Sequence, residues 1–309
     1  PITVKFQGES MITQSLLEQF KSRYPDLVSD ELDLDGVNDG FTLFEEFSTK
    51  TLLETQEVYA SEIILIKTQI LAINSLVMYC FQSNENERRV ISFDYPANDF
   101  HLSAFLTNIS NTAQSIYELS LRGFNVQADV LYRTLSERLM QTIVLFDNAS
   151  DMQKWLDAQE SDESKQTHFE IFSKRERLHK KYETILSELL KVNPDIVALR
   201  KLNKQKLDEA SLSVHGAFSS IAIRSFAFWG EGSDDAVPAI FGSPCISAKK
   251  VLNAVIFDIW FFFLLFTRLL SKRHKWERDY ENEFVLGFEL YRYISHKQFE
   301  ESLDLPIET

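Results

Sequence analysis

Residues 123–147, GFNVQADVLYRTLSERLMQTIVLFD, decide how the rest of the chain is read. At helical spacing Val126, Val130, Leu135, Met140, Ile143 and Val144 place apolar side chains on more than one side of a helix, a pattern that predicts burial. The middle of the same helix carries Arg133, Glu137 and Arg138, and charged side chains are seldom buried without a partner. Arg133 and Glu137 stand four apart, so a helix puts them on one face within reach of each other. The sequence leaves two readings open: a buried structural clasp, or part of a functional site.

Outward from this stretch, helices are expected in both directions. Upstream, a long helix from about Asn98 or Asp99 to Arg122 stops at Gly123, so it and the central helix should pack as an antiparallel hairpin. Before it, 48–81 reads as one long helix, with Ile63, Ile66, Ile70, Ile73 and Val77 at three-and-four spacing. Further upstream, 8–23 reads as a short amphipathic helix that Tyr24-Pro25 ends. Residues 29–40, SDELDLDGVNDG, read as a solvated acidic connector. Asp33, Asp35 and Gly36 resemble a calcium loop faintly, but Val37 stands where a third oxygen ligand belongs. Downstream, 149–159 reads as a short helix, Ser161 opens a longer one, and Asn193-Pro194 restarts a basic helix that ends near His215-Gly216. An apolar helix is expected from about Ser247 to Tyr280, and a last one follows it.

Only 9 glycines and 7 prolines in 309 residues, with long runs of helix formers, predict an all-α protein: a multi-helix bundle of long antiparallel helices. Residues 1–45 are expected to form an N-terminal helix plus acidic connector, and 46–309 a single bundle domain. The formal net charge of −14 excludes a general nucleic-acid coat while leaving room for a local basic groove. Cys80 and Cys245 lack metal-type spacing and read as reduced thiols of a cytoplasmic protein. The N-terminus shows no basic-then-apolar leader pattern. Residues 251–270 are long enough to span a membrane, but Asn253 and Asp258 interrupt them, so a buried core helix is expected instead.

Signatures for nucleoside-triphosphate binding, dinucleotide binding, nucleophile elbows and zinc knuckles are missing, and only Glu176-x-x-His179 fits a helical two-metal motif; no cofactor or metal is expected. Arg/His pairs remain: Arg268 with His274, Arg175 with His179, and Arg292 with His296. Such a pair suits metal-free RNA cleavage, in which histidine moves a proton and arginine stabilises charge building on phosphorus. Basic residues also gather at helix C-termini for the dipole alone. His215, at the end of the basic helix and beside Gly216, is a further candidate to face Arg133 and Glu137 across the bundle.

The run GFNVQADVLYRTLSE resembles the core helix of an uncharacterised group of bacterial all-helical proteins, in which an Arg-Ser-Leu-x-Glu run is followed by a Leu-Ser-x-x-x-His-Pro-type segment. Arg133, Thr134, Leu135 and Glu137 match the first motif, with threonine for serine; Leu212, Ser213 and His215 match the second, with a shorter gap and Gly216 for proline. The resemblance covers roughly residues 105–225. That group is similar to HEPN helical proteins and abortive-infection factors, which implies a HEPN-like core, phage defence or toxin action, and RNA or a nucleotide as the target. The site residues expected are therefore Arg133, Glu137 and His215, or Arg268 and His274, in a metal-independent endoribonuclease. The alternative is a non-enzymatic interaction protein that docks a protein partner on its acidic arm, 26–57. A membrane-disrupting effector using 251–270 is the third. A homodimer is expected; a membrane is not.

Overall fold

In a computed structural model the chain is all-α apart from four short strands, and the residues described are 14–23, 25, 34–85, 91–92, 99–158, 161–172, 175–190, 208, 226–228, 236–238, 246–276, 278 and 280–303. Ten helices lie among them: α1 Gln14–Arg23, α2 Leu34–Val58, α3 Ala60–Glu85, α4 Asp99–Leu121, α5 Asn125–Asp147, α6 Ala149–Asp157, α7 Ser161–Phe172, α8 Arg175–Leu189, α9 Ile246–Arg273 and α10 Glu283–Leu303. The strands pair antiparallel: β1 Ile91–Ser92 with β4 Lys275–Trp276, and β2 Phe226–Phe228 with β3 Ala236–Pro238.

Helices α10, α3, α4 and α5 lie side by side, each packed on the next, and α9 crosses against α5, α3 and α4 as the hub. The hairpin between α4 and α5 follows the sequence reading. Gly123 turns the chain at φ 72°, a left-handed conformation that favours glycine, while Phe124 N–H donates to Leu119 O at 2.9 Å and satisfies a terminal carbonyl of α4. Helices α3 and α10 run antiparallel, as Asn282 Nδ2 bonds Gln82 Oε1 at one end (3.2 Å) and Gln69 Nε2 bonds Ser295 Oγ at the other (3.1 Å). Gln69 Nε2 also reaches Ile256 O of α9 at 2.8 Å, so one amide ties three helices.

As expected, α9 is a core helix. Fifteen of the aromatic and aliphatic side chains from Val251 to Leu270 are among its buried residues, Phe146 of α5 meets Phe266 edge-on, and Phe262 stacks on Phe266. Of the two residues that interrupt its apolar run, Asn253 is exposed and Asp258 is buried. Asp258 faces Tyr132 of α5: burial first, then the charge and hydrogen bond of Asp258, hold the Tyr132 hydroxyl well above its ordinary range and therefore protonated. Asn125, Asp129, Tyr132 and Ser136, all buried, make a polar stripe along this inner face of α5.

Four expectations change. The single helix expected over 48–81 is divided between α2 and α3, which part at Tyr59. The acidic stretch 34–45 is not a connector, because α2 begins at Leu34 and runs through it. The helix-forming run FEEFSTKTLLETQE pays the nucleation cost, and each further residue then adds one bond, so weak formers such as Asp35, Gly36 and Asn38 are carried along. The apolar helix ends at Arg273, short of Tyr280, where Trp276 instead pairs with Ile91. The longer helix opened by Ser161 is two helices, α7 and α8. The basic helix expected from Asn193 to His215, and Cys245, lie outside the described residues apart from Asp208.

Candidate functional site

Helix α5 has a second polar face, turned away from α9. Thr134, Glu137, Arg138 and Gln141 follow one another at helical three-and-four spacing and form the floor of a half-open cleft of about 320 Å³. Phe105, Asn108 and Ile109 of α4 close one side, and Trp155 of α6 with His168 of α7 the other. Two local features set this wall. Asn148 caps α6 by accepting from Asp151 N–H at 3.0 Å, so the chain turns sharply after α5 and brings Trp155 back over it. The Lys181–Asp151 ion pair then ties α8 to α6.

The polar groups of the cleft are held rather than loose. Arg138 donates through Nη1 to Asn108 Oδ1 across the α4–α5 hairpin. The Thr142 hydroxyl donates to Arg138 O at 2.8 Å, and Thr134 Oγ1 to Val130 O at 3.3 Å, so both hydroxyls are committed to backbone. Trp155, His168 and Phe172 form an aromatic group, with His168 5.3 Å from Phe172 and 6.0 Å from Trp155 between ring centroids. His168 is exposed, so its imidazole is within reach of water or a ligand.

Arg133 and Glu137 do meet: Nε lies 3.2 Å from Oε1. Of the two readings that the sequence leaves open, the buried clasp does not fit, since their side chains are 23% and 38% exposed. The charges that α5 and α9 bury are instead Asp129 and Asp258. The reason is angular: Arg133 sits at the margin of the apolar arc, and Glu137 and Arg138 lie beyond it, where α4, α6 and α7 leave a cleft rather than a packed interface. Glu137 thereby joins Arg133 to the cleft.

Arg268 is half-buried on α9 and His274 follows the end of that helix, buried. His274 Nε2 lies 2.7 Å from Phe146 O, and a carbonyl only accepts, so that nitrogen carries the proton. This imidazole seals the C-terminal end of α5, about 13 Å along the helix from Glu137 at 1.5 Å per residue, and the structure does not bring it to the cleft. Beside it Arg273 bonds Asp147 at 3.1 Å and Glu188 at 2.6 Å. Burial raises the carboxyl of Asp147 against the pull of Arg273. His296 accepts from Trp260 Nε1 through Nδ1 at 2.9 Å, under a ring stacked at 8°, and is likewise committed inside the fold. His215 lies outside the described residues. Among the described residues no group of three His, Cys, Asp or Glu side chains is placed to hold a metal ion.

The sequence reading overlooked Asn108, Trp155 and His168. A Thr-x-x-Glu-Arg-x-x-Gln face on α5 was visible as a polar stripe, but nothing in the sequence says that α6 and α7 fold back across it.

Residues 99–212 match a family of unknown function, DUF5677, over rather more than a third of the chain. The match starts with α4, takes in every residue that lines the cleft and the Arg133–Glu137 run, and stops short of His215. No curated protein and no solved structure matches the chain.

Proposed function

We propose that this protein acts on RNA or nucleotide phosphates at the α4–α7 cleft, as a cytoplasmic helical protein of the bacterial phage-defence or toxin type. The observation that carries the reading is the meeting of Arg138, Glu137, His168 and Trp155 at one opening. Each does what a phosphate-bearing base requires. A guanidinium presents a planar fork to phosphate oxygens, and an indole offers a face for a base. An exposed imidazole and a carboxylate at the same opening supply groups that can take and give a proton. In such a reaction His168 takes the proton of a ribose 2′-hydroxyl, which attacks the adjacent phosphorus; Arg138 stabilises the charge on the phosphorane, and the P–O5′ bond breaks to leave a 2′,3′-cyclic phosphate while the 5′-oxygen takes a proton from water. The cleft's volume suits one nucleotide, and the overall acidity of the chain keeps a long duplex from settling on it.

The test is degradation of defined single-stranded RNA and binding of nucleoside mono- and diphosphates by the purified full chain with chelator present. Activity or binding that falls about a hundredfold in Arg138→Ala and His168→Ala, but not in His274→Ala, supports the reading. Intact RNA together with no nucleotide binding overturns it. Loss in His215→Ala alone would move the chemistry away from His168.

A second reading, a non-enzymatic interaction protein, is favoured by one observation: α2 carries Glu45, Glu46, Glu54 and Glu57 along one shallow groove, a surface for a basic partner. Co-purification with a basic protein, lost in Glu54→Lys, is its test.

A further inference from the structure

Two neighbouring helices each carry a row of exposed large apolar side chains. On α10 Leu286, Leu290 and Tyr293 are 55%, 51% and 57% exposed, and on α3 Ile64, Leu71 and Met78 are 56%, 45% and 42% exposed. The first set stands at i, i+4 and i+7, and the second at i, i+7 and i+14, so each is a stripe at heptad spacing. The stripe of α10 lies opposite its buried residues Val285, Phe288 and Ser295, and that of α3 opposite Ile66, Ile73 and Cys80. Since α3 and α10 pack side by side and antiparallel, the two stripes share one outward layer. At 1.5 Å per residue the stripe of α10 is about 10 Å long and that of α3 about 20 Å; at about 10 Å wide they make roughly 300 Å², a size at which the largest apolar patch of a monomer is often functional.

We propose that this layer is an isologous interface between two copies of the chain, with α10 pairing antiparallel to its symmetry mate about Leu290. The charge pattern selects a second copy over other occupants. Glu283 and Lys297, both exposed, stand seven residues to either side of Leu290, so a two-fold axis there sets Glu283 of each copy against the partner's Lys297. The same register sets Leu286 against Ile294. A chain of net charge −14 repels its own kind over most of its surface, which leaves an apolar face with self-complementary ends as the place where two copies can meet. The inference does not rest on the reading of the cleft, which lies on other helices.

Sedimentation velocity of the full chain from about 1 to about 100 µM tests it, a range that reports micromolar association. The expected result is a dimer that Leu290→Glu converts to a monomer. Glu283→Lys should weaken it about tenfold, because the two-fold repeats each change, and adding Lys297→Glu should restore it. The two charge reversals are on exposed positions and leave the fold intact, so the test stands even where Leu290→Glu does not fold. A wild-type monomer at every concentration overturns the proposal. So does a dimer indifferent to all three variants, or a monomer that sediments with anionic phospholipid vesicles, which would make the layer a membrane face.

Discussion

The two polar faces of α5 differ in what surrounds them, and so in what their residues are for. The inner face, Asn125, Asp129, Tyr132 and Ser136, is buried, and its Tyr132 hydroxyl is engaged by Asp258 of α9. The outer face, Thr134, Glu137, Arg138 and Gln141, is left open by the surrounding helices, and its Arg138 is held in place by Asn108. Burial turns polar groups into structure, and partial exposure with fixed geometry leaves them available for a ligand. A charge on a helix therefore says little until the angle at which its neighbours pack is known.

That contrast can be broken by substitution. Tyr132→Ala, which empties a nearly fully buried site and leaves Asp258 without its donor, should cost about 4 kcal/mol in chemical denaturation. A loss under 1 kcal/mol would mean that the inner face does not hold α5 to α9. Arg138→Ala should lower nucleotide binding or RNA cleavage about a hundredfold, equivalent to about 2.7 kcal/mol, while the melting temperature hardly moves. If stability fell as much as activity, the outer face would be structural too.

Tyr132→Phe should cost about 1–2 kcal/mol by removing one buried hydrogen bond. It also carries a pH signature. The folded Tyr132 holds its proton above the ordinary value of 10.0, whereas the unfolded chain releases it there, so stability declines as pH rises through about 10. Tyr132→Phe should flatten that decline in alkaline titrations followed by circular dichroism; an unchanged slope would assign it to other groups. Smallest of all, Arg133→Gln should cost less than about 1 kcal/mol, as expected of a half-exposed i,i+4 pair. Under native conditions Cys80 should resist thiol reagents, since burial and the nearby Asp99 raise its thiol and no solvent reaches it.

Much of the fold was legible because it depends on local chemistry. Gly123 announces the hairpin, and the apolar run from Val251 to Leu270 announces a long helix that its neighbours bury. Helix α2 was misread at its start because Asp, Gly and Asn favour turns, whereas elongation from a strong neighbouring segment overrides them. At the candidate site, periodicity placed Arg133 and Glu137 on one face but could not say that this face stands at the edge of the apolar arc. His168 was illegible, because its place beside Arg138 is made by the return of α6 and α7.

His274 reaches back 128 residues to cap Phe146, and the helix that precedes it fills the middle of the bundle. A growing chain leaving the ribosome has therefore made α3, α4 and α5 long before their common partner exists. During that interval the inner face of α5 stands bare, until residues 246–273 have emerged. Slowing translation ahead of residue 246 should lower the yield of folded protein far more than slowing it after residue 276.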